Sequence, residues 1–127
     1  EAVLLSTCNR VELYCASAKA DMLPDSAALG DFVTAYHSVQ FDEVSQQLTA
    51  TSGPDTLKHL FMVAASLDSM IVGEAQILSQ VKSAYELACQ GETASTLMHR
   101  AFQRATVVAR RVANETEIHR RRLLRTL

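Results

Sequence analysis

Glycine is scarce in this chain: there are four in 127 residues, isolated at positions 30, 53, 73 and 91. That spacing excludes GxGxxG and GxxxxGK[ST], the loops whose backbone N–H groups cradle phosphates, so no dinucleotide is held here by the usual loop. Cysteine is also sparse. Cys8, Cys15 and Cys89 are odd in number and form no CxxC pair, which argues against both a disulfide scaffold and a zinc ribbon and predicts reduced thiols. The four histidines, at 37, 59, 99 and 119, fall in no HExxH or HxxxH spacing, so no metal is expected. Long apolar runs are missing too. The longest, "LFMVAAS", is far short of the roughly 20 residues that cross a bilayer, and no basic-then-apolar start marks a signal peptide. A soluble cytoplasmic protein is the expectation.

Charge of one sign is missing overall but not locally. The net charge is −2, yet "HRRRLLRT" near the end supplies four of the twelve Lys and Arg residues, leaving eight against fourteen acidic residues elsewhere. The body is therefore acidic, and any basic surface must be local. Apolar residues at 48% and charged residues at 20% describe a globular chain with one core, and 127 residues suit one domain. The chain opens directly on "EAVLLS", with no Met and no preceding turn, so further sequence is expected upstream.

What is present reads as strands first and helices after. "AVLLS" and "VELYCA", separated by polar "TCNR", predict two short extended segments joined by a tight connection, where Asn9 tolerates left-handed angles. Pro24 with Asp25 or Ser26 starts an amphipathic helix carrying Leu29, Phe32, Val33 and Tyr36 at i, i+3, i+4, i+7. "QQLTAT" is β-compatible and ends in the breaker cluster Ser52, Gly53, Pro54. A helix from about Asp55 is apolar on most sides, with Leu57, Leu60, Phe61 and Ala64 on one face, and should be central. Glu74 opens the next helix, with Ile77, Val81, Ala84, Tyr85 and Ala88 as its stripe and Gly91 closing it. The last runs from Thr93 or Ser95 to Glu117 with Met98, Ala101, Phe102, Ala105, Val108, Ala109 and Val112 in one stripe, about 33 Å long at 1.5 Å per residue. The sum is an α+β domain with a small sheet.

Cys8 is the residue with the most chemistry to explain. A buried, inert thiol is the ordinary reading of a cysteine. Thr7, Asn9 and Arg10 are poor company for one, and a polar connection between strands is usually exposed. A thiol beside a guanidinium is shifted toward the thiolate, the form that attacks carbonyls. Cys15, in an alternating strand, and Cys89, late on an amphipathic helix, read as structural. Two classes of function remain open on these residues: an enzyme with Cys8 as nucleophile, and a helical binding or structural module with Cys8 inert.

Three segments, "LLSTCNRVELY", "LKHLFMVAASLDSMIVGEAQILSQVKSAY" and "FQRATVVARRVANETEI", resemble the amino-terminal catalytic domain of the glutamyl-tRNA reductases, in order and at the right spacing, over residues 2–118. The resemblance implies a ferredoxin-like α+β fold, its small antiparallel sheet packed with helices, then a helical segment leading to a long helix. Residues 1–118 would be that catalytic domain without its first strand and helix. The basic stretch 119–127 departs from the family pattern, and the NADPH-binding and dimerisation domains would lie outside this chain. The implied reaction reduces glutamyl-tRNA with NADPH to glutamate-1-semialdehyde in tetrapyrrole synthesis. Its implied partners are glutamyl-tRNA, a second copy of the chain and a downstream aminomutase. The implied location is the cytoplasm, or the stroma in a plant.

By the same resemblance Cys8 is the nucleophile that takes the glutamyl group as a thioester, and His59 is associated with activity. Thr7, Asn9, Arg10, Ser69, Glu74, Gln76 and Gln80 match substrate-binding positions. Arg10 offers a planar two-pronged donor for the substrate carboxylate, and Glu74 can hold its ammonium group. On residue type alone His59 reads as a histidine satisfied on an apolar helix, Ser69 as a cap and Gln80 as a solvated residue. Arg100, Arg104, Arg110 and Arg111 form a basic stripe that is either a solvated face or a contact for tRNA phosphates. This chain departs from the family pattern at Met62 (usually arginine), Ser66 (glycine), Ala75 (proline) and Ser79 (glycine). Acyl transfer or hydrolysis is the most that these residues would support.

Overall fold

The computed structural model describes residues 1–7, 10–36, 49–67 and 76–115. Strands β1 (Ala2–Ser6) and β2 (Val11–Cys15) form an antiparallel hairpin in which Val3 faces Tyr14 and Leu5 faces Glu12. Alternation puts Val3, Leu5 and Tyr14 into the core, at 1%, 1% and 5% exposure, because successive side chains point to opposite faces. A single 3₁₀ turn at Ala20–Met22 leads to α1 (Ser26–Tyr36). Asp25 starts that helix, its Oδ1 accepting the Ala28 N–H at 2.8 Å, as an N-terminal capping carboxylate does. Leu29 and Val33 are half-buried, while Phe32 remains 53% exposed, so the expected apolar stripe of α1 is covered only in part.

Three helices follow: α2 (Pro54–Ala64), α3 (Ile77–Gln90) and α4 (Thr96–Glu115). Gly53, at φ 63° and ψ −140°, precedes α2 in a conformation open only to glycine, and Pro54 occupies the first turn, where no N–H is needed. Helix α3 packs on β1, and α2 packs on α3 and α4. Leu60, Val63, Ile77, Val81, Met98, Phe102, Ala105 and Ala109 meet in one core with the inner face of the hairpin. The result is the expected α+β domain, a small antiparallel sheet against helices of which the last is long. Of "QQLTAT", Thr49, Ala50 and Thr51 are not in a strand and Gln46, Gln47 and Leu48 lie outside the described residues. Helix α2 is central: of its expected apolar face Leu60 and Ala64 are buried and Phe61 is half-buried, while Leu57 is 44% exposed.

Both α2 and α3 end in the same way. The N–H of Leu67 reaches Met62 O (2.8 Å) and that of Ser66 reaches Val63 O (3.0 Å); Thr93 N–H reaches Ala88 O (2.9 Å) and Glu92 N–H reaches Cys89 O (3.2 Å). These are paired reverse-turn bonds that satisfy the last carbonyls of a helix and require one residue in left-handed backbone. Ser66, at φ 64°, and Glu92, at φ 59°, take that position, each at a cost of about 1–2 kcal/mol relative to glycine. Ser66 stands where the family pattern has glycine, which this geometry explains. Gly91 was expected to close α3, but it is the capping residue at φ −82°; the left-handed residue is Glu92, one step later.

The two ends of the chain's core are stitched together by Glu1. Its carboxylate accepts the N–H groups of Ser95 (2.7 Å), Met98 (2.9 Å) and Leu97 (3.3 Å) at the start of α4. Partial burial opposes its charge, but these three donors outweigh that and hold its carboxyl below the ordinary value of 4.5. Helix α4 has no acidic residue in its own first turn, so Glu1, the residue just before β1, supplies the carboxylate that the helix dipole favours there. Next to it, Ala2 and Thr93 exchange hydrogen bonds, Ala2 N–H to Thr93 O and Thr93 Oγ1–H to Ala2 O, both 2.8 Å.

Candidate functional site

The turn of the hairpin is closed by Thr7 and Arg10. Thr7 N–H donates to Arg10 O at 2.8 Å, and Arg10 N–H donates to Thr7 Oγ1 at 3.2 Å. Cys8 and Asn9, between them in the chain, lie outside the described residues, as do Ser69 and Glu74. Of the residues read from the sequence, Thr7, Arg10, His59, Gln76 and Gln80 are therefore the ones the structure places.

Arg10 and His59 come together through a residue that sequence reasoning missed. Arg10 Nη1 meets Glu12 Oε2 at 2.9 Å, and His59 Nε2 lies 2.9 Å from both Glu12 oxygens. Tyr14 Oη donates to Glu12 Oε1 as well. The side chains of Arg10 and Glu12 are 14% and 16% exposed, and His59 is 36% exposed, so the cluster is shielded on the sheet side and reachable from the helix side. A carboxylate with guanidinium, phenol and imidazole donors is well satisfied for a partly buried charge. A carboxylate only accepts, so His59 donates to Glu12 through Nε2–H. The signal was in the sequence: in "RVELY" the residues Arg10, Glu12 and Tyr14 alternate, which puts a charged residue on the inward face of a strand whose next inward residue is buried.

Gln76 and Gln80 lie on a second wall. With Ser79 and Ser83 they occupy i, i+4, i+3 and i+7 of the α3 face that borders β1, and with Ala2, Leu4, Ser6 and Thr93 they line a groove of about 870 Å³. Ser6, which lines this groove, is two residues from Cys8 in the chain. Gln80 Oε1 is buried without a donor among the described residues, which leaves it an acceptor for a group that those residues do not supply. Gln80 is thus not the solvated residue that its type suggested. Met62, where the family pattern has arginine, lines a largely apolar groove of about 350 Å³ between α2 and α4 with Leu57, Phe61, Ala65, Leu67, Val108 and Val112, Lys58 standing at it as the charged residue.

The other thiols and histidine sit elsewhere. Cys15 is half-buried, and burial pushes its thiol up. Cys89 lies on α3 one turn after Tyr85, whose phenol is hydrogen-bonded to His99 Nδ1 across the α3–α4 packing. Burial raises the Tyr85 phenol, the hydrogen bond and charge of Cys89 add to the effect, and Gln103 opposes it. No group of three His, Cys, Asp or Glu side chains that could hold a metal ion occurs among the described residues, and no described helix is long and apolar enough to cross a membrane.

The arrangement defines an α+β domain with an Arg10–Glu12–His59 cluster joining the hairpin to α2 and a groove of mixed polar and apolar lining between β1 and α3. A family model described as glutamyl-tRNAGlu reductase, N-terminal domain, matches residues 1–116, and the chain belongs to that family. It is 50% identical over 97% of its length to the glutamyl-tRNA reductase of Rhodopirellula baltica, covering 29% of that protein. To the enzymes of Syntrophotalea carbinolica and Geobacter sulfurreducens it is 47% and 44% identical over 93% of its length, covering 26% and 27% of theirs. The chain thus spans less than a third of the length of these curated relatives.

Proposed function

We propose that this domain accepts the glutamyl group of glutamyl-tRNA onto Cys8 as a thioester. One observation carries the reading: Glu12 joins Arg10 and His59 into one partly buried cluster, and Arg10 is two residues from Cys8. In the step proposed, the Cys8 sulfur attacks the ester carbonyl and a C–S bond forms. The ester C–O bond then breaks, and its electron pair leaves on the terminal ribose oxygen of the tRNA. His59, oriented by Glu12, takes the thiol proton on Nδ1 and returns it to that oxygen, the usual division of labour between base, orienting carboxylate and nucleophile. Arg10, already holding one carboxylate, is the donor for the glutamyl side chain. Gln80 Oε1, with Ser69, Glu74 and Gln76, would receive the ammonium end.

The family's reductant is NADPH. The residues of this chain do not fit it, since four isolated glycines form no pyrophosphate cradle, and the proposal ends at the thioester. Radiolabelled glutamyl-tRNA should yield a hydroxylamine-labile glutamyl adduct on the protein, and Cys8→Ser should abolish it. Undiminished adduct in the Cys8→Ser protein would overturn the assignment and leave Cys8 inert, as in a binding module.

A further inference from the structure

Helix α4 carries four arginines and a single carboxylate, Glu115, at its far end. At about 100° per residue, Arg100, Arg104 and Arg111 fall within about 40° of one another, with Arg110 about 80° or more to one side, and all four are exposed. Arg100, Arg104 and Arg110 have no carboxylate within ion-pair distance among the described residues. Arg111 has only the exposed i,i+4 contact to Glu115 at 3.3 Å, the two side chains 72% and 63% exposed, a pairing worth a few tenths of a kcal/mol.

Helix stability does not explain these positions. Basic residues favour the C-terminal turn, where the macrodipole is negative, and Arg100 stands near the N-terminal turn that Glu1 has to cap. Nor does the chain's overall charge, which is −2. The ridge is a local concentration of positive charge on an acidic body, about 17 Å long from Arg100 to Arg111. That is the reach of several successive phosphates on one strand.

Its placement relates it to the site. Helix α4 starts at the same end of the sheet as β1, where Glu1 caps it, and Phe102 rests on Tyr14 with ring centroids 5.6 Å apart. Its second half packs against α2, the helix of His59, through Val108 and Val112. We infer that Arg100, Arg104 and Arg111, flanked by Arg110, are the surface on which the sugar–phosphate backbone of the tRNA lies while its acylated end reaches the Cys8 turn. This rests on the acyl-transfer reading for its choice of RNA as partner. The ridge is interrupted by Leu97 and Val107, 37% and 46% exposed, and has no aromatic residue, so it grips backbone charge without reading bases.

The test uses the 127-residue chain and end-labelled, deacylated tRNA, with binding followed by fluorescence anisotropy across a potassium chloride series. Deacylated tRNA has no glutamyl group, so the result does not depend on Cys8 chemistry, and the Cys8→Ser protein should bind it as the parent does. Combined Arg100→Ala, Arg104→Ala and Arg111→Ala substitutions are fully on the surface and should leave the melting temperature unchanged. They should weaken binding about tenfold or more at low salt. The slope of log K against log salt should fall by about 2 to 3, close to one per lost phosphate contact. An unchanged affinity and slope, or no tRNA binding by the parent chain, overturns the assignment while leaving thioester formation untouched. Displacement of the tRNA by polyglutamate at matched charge, with tighter binding of the polymer, overturns it in favour of an acidic protein partner.

Discussion

His59 and His99 are both helical, both partly exposed and both hydrogen-bonded to a group on another element, yet they belong to different kinds of surroundings. His59 reaches 47 residues back to a strand carboxylate that also holds a guanidinium and a phenol. His99 meets a phenol 14 residues away within an aromatic stack: Tyr85 lies parallel to Phe102 at 5.6 Å and edge-on to His99 at 5.7 Å. The first arrangement concentrates ionisable groups beside a turn that bears a thiol. The second spends its polar atoms on joining α3 to α4. A histidine becomes a candidate for chemistry through what its partner is and what else that partner holds, rather than through exposure.

The largest effect should come from the residue that touches both regions. Phe102 is 2% exposed and packs on Tyr14 as well as Tyr85. Phe102→Ala should cost about 3–5 kcal/mol, read as a lower denaturation midpoint, and should loosen the two histidine clusters together. If urea unfolding shifts by under about 1 kcal/mol, the two regions do not share a core.

The comparison itself is broken or kept by a matched pair. Glu12→Gln keeps the shape but removes the charge that orients His59 and holds Arg10. Glutamyl transfer should fall by about 10²-fold or more, with about 1–3 kcal/mol lost in stability. His99→Asn should cost about 1 kcal/mol and leave glutamyl transfer at the parent rate. Equal losses of transfer in the two variants would erase the distinction between the clusters.

The smallest effect concerns only the His99 region, whose helix starts on Glu1. The Glu1 carboxyl is held below its ordinary value of 4.5 in the folded protein, so its capping contribution is complete above that value. It is lost as pH falls through the lowered folded-state value. Glu1→Gln should therefore flatten the acid limb of the stability–pH curve and cost about 0.5–1 kcal/mol at neutral pH, without changing glutamyl transfer. A steeper acid limb in the variant would contradict the cap.

Much of the fold was legible because local patterns have local causes. The alternation of "AVLLS" and "VELYC" and the 3.6-residue stripes of α3 and α4 placed the core residues where they are buried: Ile77, Val81, Ala84 and Ala88 on one helix, Met98, Phe102, Ala105 and Ala109 on the next. The reading slipped at Gly91, since a glycine after a helix resembles its left-handed closing residue whether or not the helix has ended one residue earlier. For the site, residue types singled out Cys8, and the resemblance added Arg10, His59 and Gln80. Glu12 was passed over because a glutamate in a short strand looks like the solvent side of an alternating pattern.

By itself the sequence determined periodicity, the turn between the strands, the starts of α2 and α4 within a few residues and the family; α3 begins at Ile77, three residues after the expected Glu74. These depend on neighbours along the chain and on motif strings. Tertiary structure alone decided that Glu12 would bind His59 across 47 residues, and that Glu1 would cap a helix beginning 95 positions later. It also decided that Gln80 would bury an acceptor with no donor among the described residues. Each of these is a polar atom satisfied, or left waiting, by a group that only folding brings near, and no local rule of spacing encodes such a meeting.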